Sequence, residues 1–213
     1  MDLYFSPLAC SLATRIALYE AGADAGFIEV DPKTKRIVGD GSDYLTVYPL
    51  GMVPAIRMDD GALLTENAAI LQYVADRFPA ANLAPKGGLE RARLQQWLCF
   101  IGTELHKGLF IPLFDKKAPE GTATNTLAKG HSRLAYLNDY LAGREFLLSE
   151  FSVADAYLYT VLNWSMATPV KFDRFPAIQA YYTRLQKRPS IAKAFAEELA
   201  LYKAELARHK AAA

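Results

Sequence analysis

The sequence predicts a small α/β domain followed by an all-helical domain. Three observations carry that prediction. Up to about residue 79, short apolar runs bounded by Gly, Pro and Asp alternate with stretches of helical periodicity. A segment rich in Ala, Pro and Gly follows, from 80 to 88. Beyond it, apolar residues recur only at helical spacing. The domains are therefore placed at 1–79 and 89–213, with 80–88 as the linker.

In order, Leu3-Tyr4-Phe5 reads as a buried strand stopped by Ser6-Pro7. Leu12, Ile16 and Tyr19 then set a helical spacing that ends near Gly22, and Phe27 to Val30 form a second strand before Asp31-Pro32. A strand, a helix and a strand with short connections make a βαβ unit, whose strands run parallel with a right-handed crossover. A polar loop spans Pro32 to Ser42, and Asp43 to Tyr48 are compatible with a short helix. Val53 to Arg57 and Ala62 to Leu64 read as two strands joined through Asp59-Asp60-Gly61, a hairpin signal. Pro54 cannot donate to a ladder, so it belongs at a strand start or edge, and a cis Val53-Pro54 bond fits there. Thr65-Glu66-Asn67 precedes a helix carrying Ile70, Tyr73, Val74 and Phe78, stopped by Pro79. The order β-α-β-α-β-β-α is that of a thioredoxin-like domain.

After the linker, Leu94, Leu98, Ile101 and Leu105 keep a 4-3-4 spacing in one long helix. Leu127, Leu134, Leu137 and Leu141 mark a second, behind a polar loop from Glu120 to Asn125. Ser152-Val153-Ala154-Asp155 has the shape of a capping box, with Asp where Glu or Gln is usual, and opens a third. Phe175-Pro176 starts a fourth that stops at Arg188-Pro189. A fifth runs from Ser190 towards the alanine-rich tail.

With 52% hydrophobic and 22% charged residues, the 213-residue chain can bury a sizeable core. Its 24 basic and 23 acidic residues give a formal net charge of +1, which offers no electrostatic case for nucleic acid or an anionic membrane. Met1-Asp2-Leu3 does not open a secretory signal, and no window approaches the roughly 20 apolar residues of a membrane span. The expectation is a soluble, cytoplasmic protein. Cys10 and Cys99 make no disulfide framework, although spacing alone leaves a single bridge between them open. Cys99, in an apolar helical stretch, reads as core. The three histidines, His106, His131 and His209, share no metal-ligand spacing, so no metal is expected.

The residues that can carry chemistry begin with Cys10. It follows a strand and a turn just where a helical pattern starts, and a helix N-terminus favours the thiolate. The alternative is a small buried residue in a tight turn. The run Cys10-Ser11-Leu12-Ala13 lacks the second cysteine of a dithiol C-x-x-C, which points to exchange with a small external thiol such as glutathione. The Val53-Pro54 edge can pair with the main chain of an extended peptide, or be a simple strand entry. Glu66 and Asn67, at a helix N-terminus, can accept an ammonium and bind a carboxylate, or Glu66 can merely cap its helix. His106 is either structural or, if near Cys10, a partner for a thiolate.

Taken together, these residues resemble the glutathione S-transferases, most closely their bacterial beta-class branch. The likeness runs through Leu8-Ala9-Cys10-Ser11-Leu12, Gly41-Ser42-Asp43-Tyr44-Leu45, Pro49-Leu50-Gly51-Met52-Val53-Pro54-Ala55, Leu64-Thr65-Glu66 and Ala69 to Tyr73. It continues through Thr103-Glu104-Leu105-His106-Lys107 and Ser152 to Leu158. It implies a glutathione site in the first domain, a hydrophobic electrophile as second substrate and a homodimer. It implies that Cys10 lies near the glutathione sulfur with Ser11 and His106, that Val53 and Pro54 meet the cysteinyl part, that Glu66 and Asn67 hold the γ-glutamyl end, and that Lys35 holds the glycyl carboxylate. Asp155 carries over as a helix cap. Tyr48-Pro49-Leu50-Gly51 departs from the family's Asn-Pro-Lys-Gly, Ala13-Thr14 replace its Pro-His, and Asn67 stands where relatives often have a small residue. The expected activity is conjugation of glutathione to hydrophobic electrophiles, reduction of mixed disulfides through Cys10, or both. The alternative is a non-catalytic ligand-binding or regulatory protein on the same fold.

Overall fold

The structure is a computed structural model, and it describes residues 1–211. Contacts divide the chain into two units: Met1–Leu83 together with the segment from Pro189 onward, and Ala84–Arg188.

The first unit holds a four-stranded sheet in the order β2-β1-β3-β4, built from β1 (Asp2–Phe5), β2 (Gly26–Glu29), β3 (Ala55–Arg57) and β4 (Leu63–Thr65). β1 and β2 are parallel, with Leu3 opposite Phe27, and are joined through helix α1 (Leu12–Glu20) as the βαβ reading requires. β3 pairs antiparallel with both β1 and β4. Strand side chains alternate between faces, and both faces are covered. Tyr4 packs with Val30, Tyr44 and Ala55. Leu3 and Phe5, on the opposite face, are buried, as are Ile16 of α1 and Ile70 and Leu71 of α2 (Asn67–Arg77).

Two edges of the strand prediction shift. β2 ends at Glu29, because Val30 leaves the ladder to form an isolated bridge with Ile37. β3 starts only at Ala55, because Pro54 has no N–H to donate to the ladder, and the Val53-Pro54 peptide is cis.

The second unit is helical: α3 (Gly88–Phe100), a π-helical stretch (Ile101–Phe110), α4 (Ile111–Phe114), α5 (Thr122–Leu141), α6 (Val153–Asn163) and α7 (Pro176–Leu185). The 4-3-4 spacing predicts one uninterrupted helix from Leu94 to Leu105, but its register changes at Ile101. Ile111 N–H donates to the His106 carbonyl, five residues back. Gly108 is what the wider turn needs, since a Cβ there would lie 2.8 Å from the Thr103 carbonyl oxygen. α5 begins inside the expected Glu120–Asn125 loop, after Gly121 at φ 82°.

Two sequence expectations are corrected. Cys99 is exposed rather than core, because the inward face of α3 is formed by Leu94, Trp97 and Leu98. The helical segment placed at 89–213 loses its last helix, since α8 (Pro189–Ala211) belongs to the first unit. Its buried positions, Ile191, Ala194, Glu198 and Glu205, form one face, and α8 packs on α1.

Candidate functional site

The strand register gathers the predicted site residues of the first unit at one end of the sheet. Tyr4 is opposite Ala55 and Ala55 is opposite Thr65. The loop after β1, the entry to β3 and the exit from β4 therefore meet at that end, carrying Cys10, Val53-Pro54 and Glu66-Asn67.

Cys10 sits in a turn two residues before α1 and is partly exposed. Its thiol donates to the Val53 carbonyl over 3.2 Å. Ser11, one residue on, is fully buried. Its hydroxyl donates to the Ser6 carbonyl at 3.2 Å and accepts from the Ser6 N–H at 3.4 Å. Ser11 thus closes the Ser6–Ser11 loop from inside, which makes it a brace for that loop.

Asn67 lies at the start of α2. Its side-chain oxygen accepts the Thr14 hydroxyl at 2.9 Å, one helical turn beyond Cys10 on α1. Its amide nitrogen is buried and makes no hydrogen bond among the described residues, an arrangement that leaves a donor for a further partner. Glu66 is exposed and does not cap α2 with its side chain, so the capping alternative is not realised. Lys35 reaches back to the Gly51 carbonyl, with Nζ at 3.0 Å. Gly51 permits that approach: a Cβ there would lie 3.1 Å from the Lys35 chain and 2.9 Å from Leu45, at a φ of 59°. The Tyr44 hydroxyl holds the next carbonyl, of Met52, at 2.8 Å, so the segment leading to Val53 is anchored at two successive residues.

The backbone is strained at the same place. Among the described residues, the non-glycine positions with positive φ are Leu8 (58°), Lys35 (58°), Glu66 (66°) and Asn82 (51°). Three of these four belong to the loops just described. Sparsely populated backbone conformations cluster at functional sites, where surrounding structure over-determines them.

His106 belongs to the second unit, inside the π-helical stretch, and is buried. Its Nδ1 is 2.7 Å from the Tyr157 hydroxyl, and its ring packs edge-on against Trp164 at 4.8 Å. Burial pushes its pKa down to about 4, helped by the nearby Lys107 charge. At neutral pH it is therefore an uncharged imidazole. That removes the option, open from the sequence, of holding a thiolate by charge. Trp164 also meets Phe110 and Phe114 edge-on, giving an aromatic cluster around the histidine.

Sequence reasoning missed the electrostatic support of the cysteine loop. The Arg15 guanidinium is buried between the Phe5 and Phe27 rings, at 4.3 and 4.1 Å. It faces Glu197 at 3.2 Å and Glu198 at 3.0 Å, both on α8. Burial pushes the Glu198 carboxyl up to about 8, with Arg15 opposing. The available signal was positional: Glu198 lies seven residues after Ile191 and four after Ala194, at helical spacing on the face that also buries Glu205.

Farther along α8, His209 meets the Asp31 carboxylate at 2.7 Å. Burial alone would raise the Asp31 pKa, but the N–H groups of Thr34 and Lys33 together with His209 hold it at about 2. Asp31 thereby organises the turn that presents Lys35. Among the described residues no group of three or more His, Cys, Asp or Glu side chains is placed to hold a metal ion, and no helix is long and apolar enough to cross a membrane.

Comparison with known proteins follows the same division. The family model for the glutathione S-transferase N-terminal domain matches residues 9–77, and that for the C-terminal domain matches 97–189. Glutathione S-transferase GstA of Escherichia coli O157:H7 is 41% identical, over 93% of this chain and 98% of that protein. Glutathione S-transferase GST-4.5 of Xanthomonas campestris is 32% identical, over 87% and 92%. Among solved structures, the ternary complex of BphK, a bacterial glutathione S-transferase, superposes with a TM-score of 0.89 at 42% identity, covering 93% of this chain and 99% of that one. The bacterial beta-class enzyme of Sphingomonas chungbukensis gives 0.88 and 42%, covering 93% and 98%. With both domain models matched in order and relatives covered almost end to end, the chain belongs to the glutathione S-transferase family.

Proposed function

We propose that this protein is a glutathione transferase of beta-class type whose Cys10 exchanges disulfides with glutathione. The observation that carries the reading is the pairing of Cys10 with the Val53 carbonyl at the open edge ahead of β3. An extended peptide on that edge would bond to the Val53 main chain and bring its own sulfur to Cys10. Donation to a carbonyl favours the protonated thiol. A glutathione N–H that takes the Val53 carbonyl would free Cys10 to react as thiolate.

The remaining roles follow the site's chemistry. The unpartnered Asn67 amide and the α2 N-terminus suit the γ-glutamyl carboxylate, and the exposed Glu66 suits its ammonium. Lys35, on its anchored turn, suits the glycyl carboxylate. Pro54 keeps the edge open by lacking a donor. Ser11 shapes the cysteine loop, and His106 serves as an uncharged hydrogen-bonding group. Phe114, the exposed member of the aromatic cluster around Trp164, offers apolar surface to a hydrophobic electrophile. Homodimer formation and a cytoplasmic location belong to this proposal as well.

In reductase turnover, the Cys10 thiolate attacks a glutathionyl mixed disulfide. Cys10 becomes bonded to the glutathione sulfur and the other thiol leaves. A second glutathione thiolate then releases oxidised glutathione and restores Cys10. A resolving cysteine is not required, which fits Ala13 at the second position of the C-x-x-C frame. Because Cys10 suits thiol exchange better than proton abstraction, conjugation of a standard aromatic electrophile should be weak and disulfide reduction measurable.

Intact mass spectrometry after incubation with oxidised glutathione tests this, comparing wild type with Cys10→Ser. A glutathione adduct that depends on Cys10, together with loss of reductase turnover in Cys10→Ala, is expected. Unchanged turnover in Cys10→Ala would overturn the assignment.

A further inference from the structure

Cys10 stands on a loop whose conformation is costly in isolation. Leu8 holds φ at 58°, a region a bulky residue rarely enters. The loop closes on itself through the Ala9 N–H to the Ser6 carbonyl at 3.1 Å and through the two Ser6–Ser11 bonds. None of these involves the Leu8 N–H. That group donates to Glu198 Oε2 at 2.7 Å, reaching α8 across 190 residues of sequence. Glu198 is fully buried, and its other oxygen is 3.0 Å from Arg15 Nε. Arg15 is itself fixed between Phe5 of β1 and Phe27 of β2. A line of contacts thus runs from the sheet through Arg15 and Glu198 to the backbone two residues before the thiol.

We propose that Glu198 is a positioning residue for Cys10: by accepting the Leu8 N–H it holds the strained loop that sets the thiol before α1 and against the Val53 carbonyl. This inference rests on the reading of Cys10 as the reactive group. A carboxyl oxygen accepts an N–H whether or not the group is ionised, so the requirement is for an acceptor at that distance rather than for a charge. A leucine in place of Glu198 removes the acceptor. An aspartate keeps the acid but withdraws it by one methylene. A glutamine preserves the acceptor at full reach.

The test uses the full chain in a Cys99→Ser background, so that Cys10 is the only thiol. The rate of alkylation by iodoacetamide is measured from pH 5 to 10, alongside the thermal midpoint. We expect Glu198→Leu and Glu198→Asp to alkylate roughly five-fold more slowly at pH 7, with the profile displaced upward as the thiol loses its place at the helix end. Glu198→Gln should return the profile towards that of the parent. Lowered midpoints with an unmoved alkylation profile in the Asp and Leu variants would overturn the proposal, because a merely structural residue behaves that way. So would a Gln variant that behaves like Leu, since charge would then be the requirement. If the Leu variant folds too poorly to assay, Glu198→Asp decides alone. Iodoacetamide does not use the glutathione site, so failure of the glutathione reading would appear in the adduct experiment and leave this measurement intact.

Discussion

The two units solve the same problem in different ways. Each buries ionisable groups, and burial disfavours their charged forms. In the first unit the partners are other ionisable side chains brought from far along the chain: Arg15 with Glu197 and Glu198, and Asp31 with His209. In the second unit the partners are uncharged. Asp155, fully buried, accepts from Leu147 N–H at 2.8 Å, the Tyr181 hydroxyl at 2.7 Å, and both the Ser152 N–H and hydroxyl at 2.9 Å. His106 has the Tyr157 hydroxyl. Asp155 thus finishes a helix with donors that are mostly its neighbours in sequence. The long-range pairs of the first unit instead tie α8 to the loops that carry Cys10 and Lys35. One arrangement closes a local structure, while the other fixes loops that would otherwise be free to move.

That contrast can be broken most forcefully at Asp155. Asp155→Ala leaves four inward-pointing donors without an acceptor and should cost about 4 kcal/mol of stability, read from chemical denaturation. A loss under about 1 kcal/mol would mean that the network is not the structural staple described.

His106 sharpens the comparison through pH. Its pKa falls from 6.5 in the unfolded chain to about 4 in the folded one. Between those values the unfolded state binds the extra proton, so stability falls as the pH drops from about 6.5 towards 4. The contribution reaches roughly 3 kcal/mol at the acid end. His106→Gln should flatten that slope, measured as unfolding free energy at pH 4.5 and 7.

Arg15→Leu should be somewhat milder, about 2 kcal/mol at pH 7, because Glu198 can take up a proton when its cation is removed. Since Glu198 is held up at about 8 by burial, with Arg15 opposing, it keeps its proton with or without Arg15 at pH 5 to 7, so the loss should stay level there and grow as the pH rises through about 8. A loss independent of pH would show that the pair is not what Arg15 supplies.

The smallest effect is expected at Leu8. Leu8→Gly removes the cost of a left-handed leucine and should change stability by no more than about 1 kcal/mol, since lost side-chain packing offsets the gain. Its thermal midpoint should therefore stay close to that of the parent.

Much of the candidate site's placement at one end of the sheet follows from local signals in the sequence. Cys10, Val53-Pro54 and Glu66-Asn67 each follow a local signal, namely a turn before a helix, a proline at a strand entry and a polar pair at a helix start. Such signals depend on only a few consecutive residues. The capping role of Asp155 could be read for the same reason, from Ser152-Val153-Ala154-Asp155. The sequence reading put Ser11 among the catalytic residues beside Cys10, whereas the structure turns its hydroxyl inward to Ser6. Side-chain direction at that position depends on how the loop closes. Cys99 read as core and is exposed, because an apolar helix does not announce which of its faces is inward.

What the sequence by itself determined is the order of elements, the division into an α/β half and a helical half, and the residue types that meet at one end of the sheet. Periodicity, turn chemistry and motif spacing are local, and they survive without knowledge of contacts. What only the tertiary structure decided is where α8 belongs and which charges it carries inward. Glu198 pairs with Arg15 and Leu8 across more than 180 residues, and no spacing rule reaches that far. The π-helical turn around His106 was likewise decided by packing, since the apolar spacing there fits an α-helix equally well. Long-range charge pairing and helix register are settled by burial, and burial is a property of the folded chain.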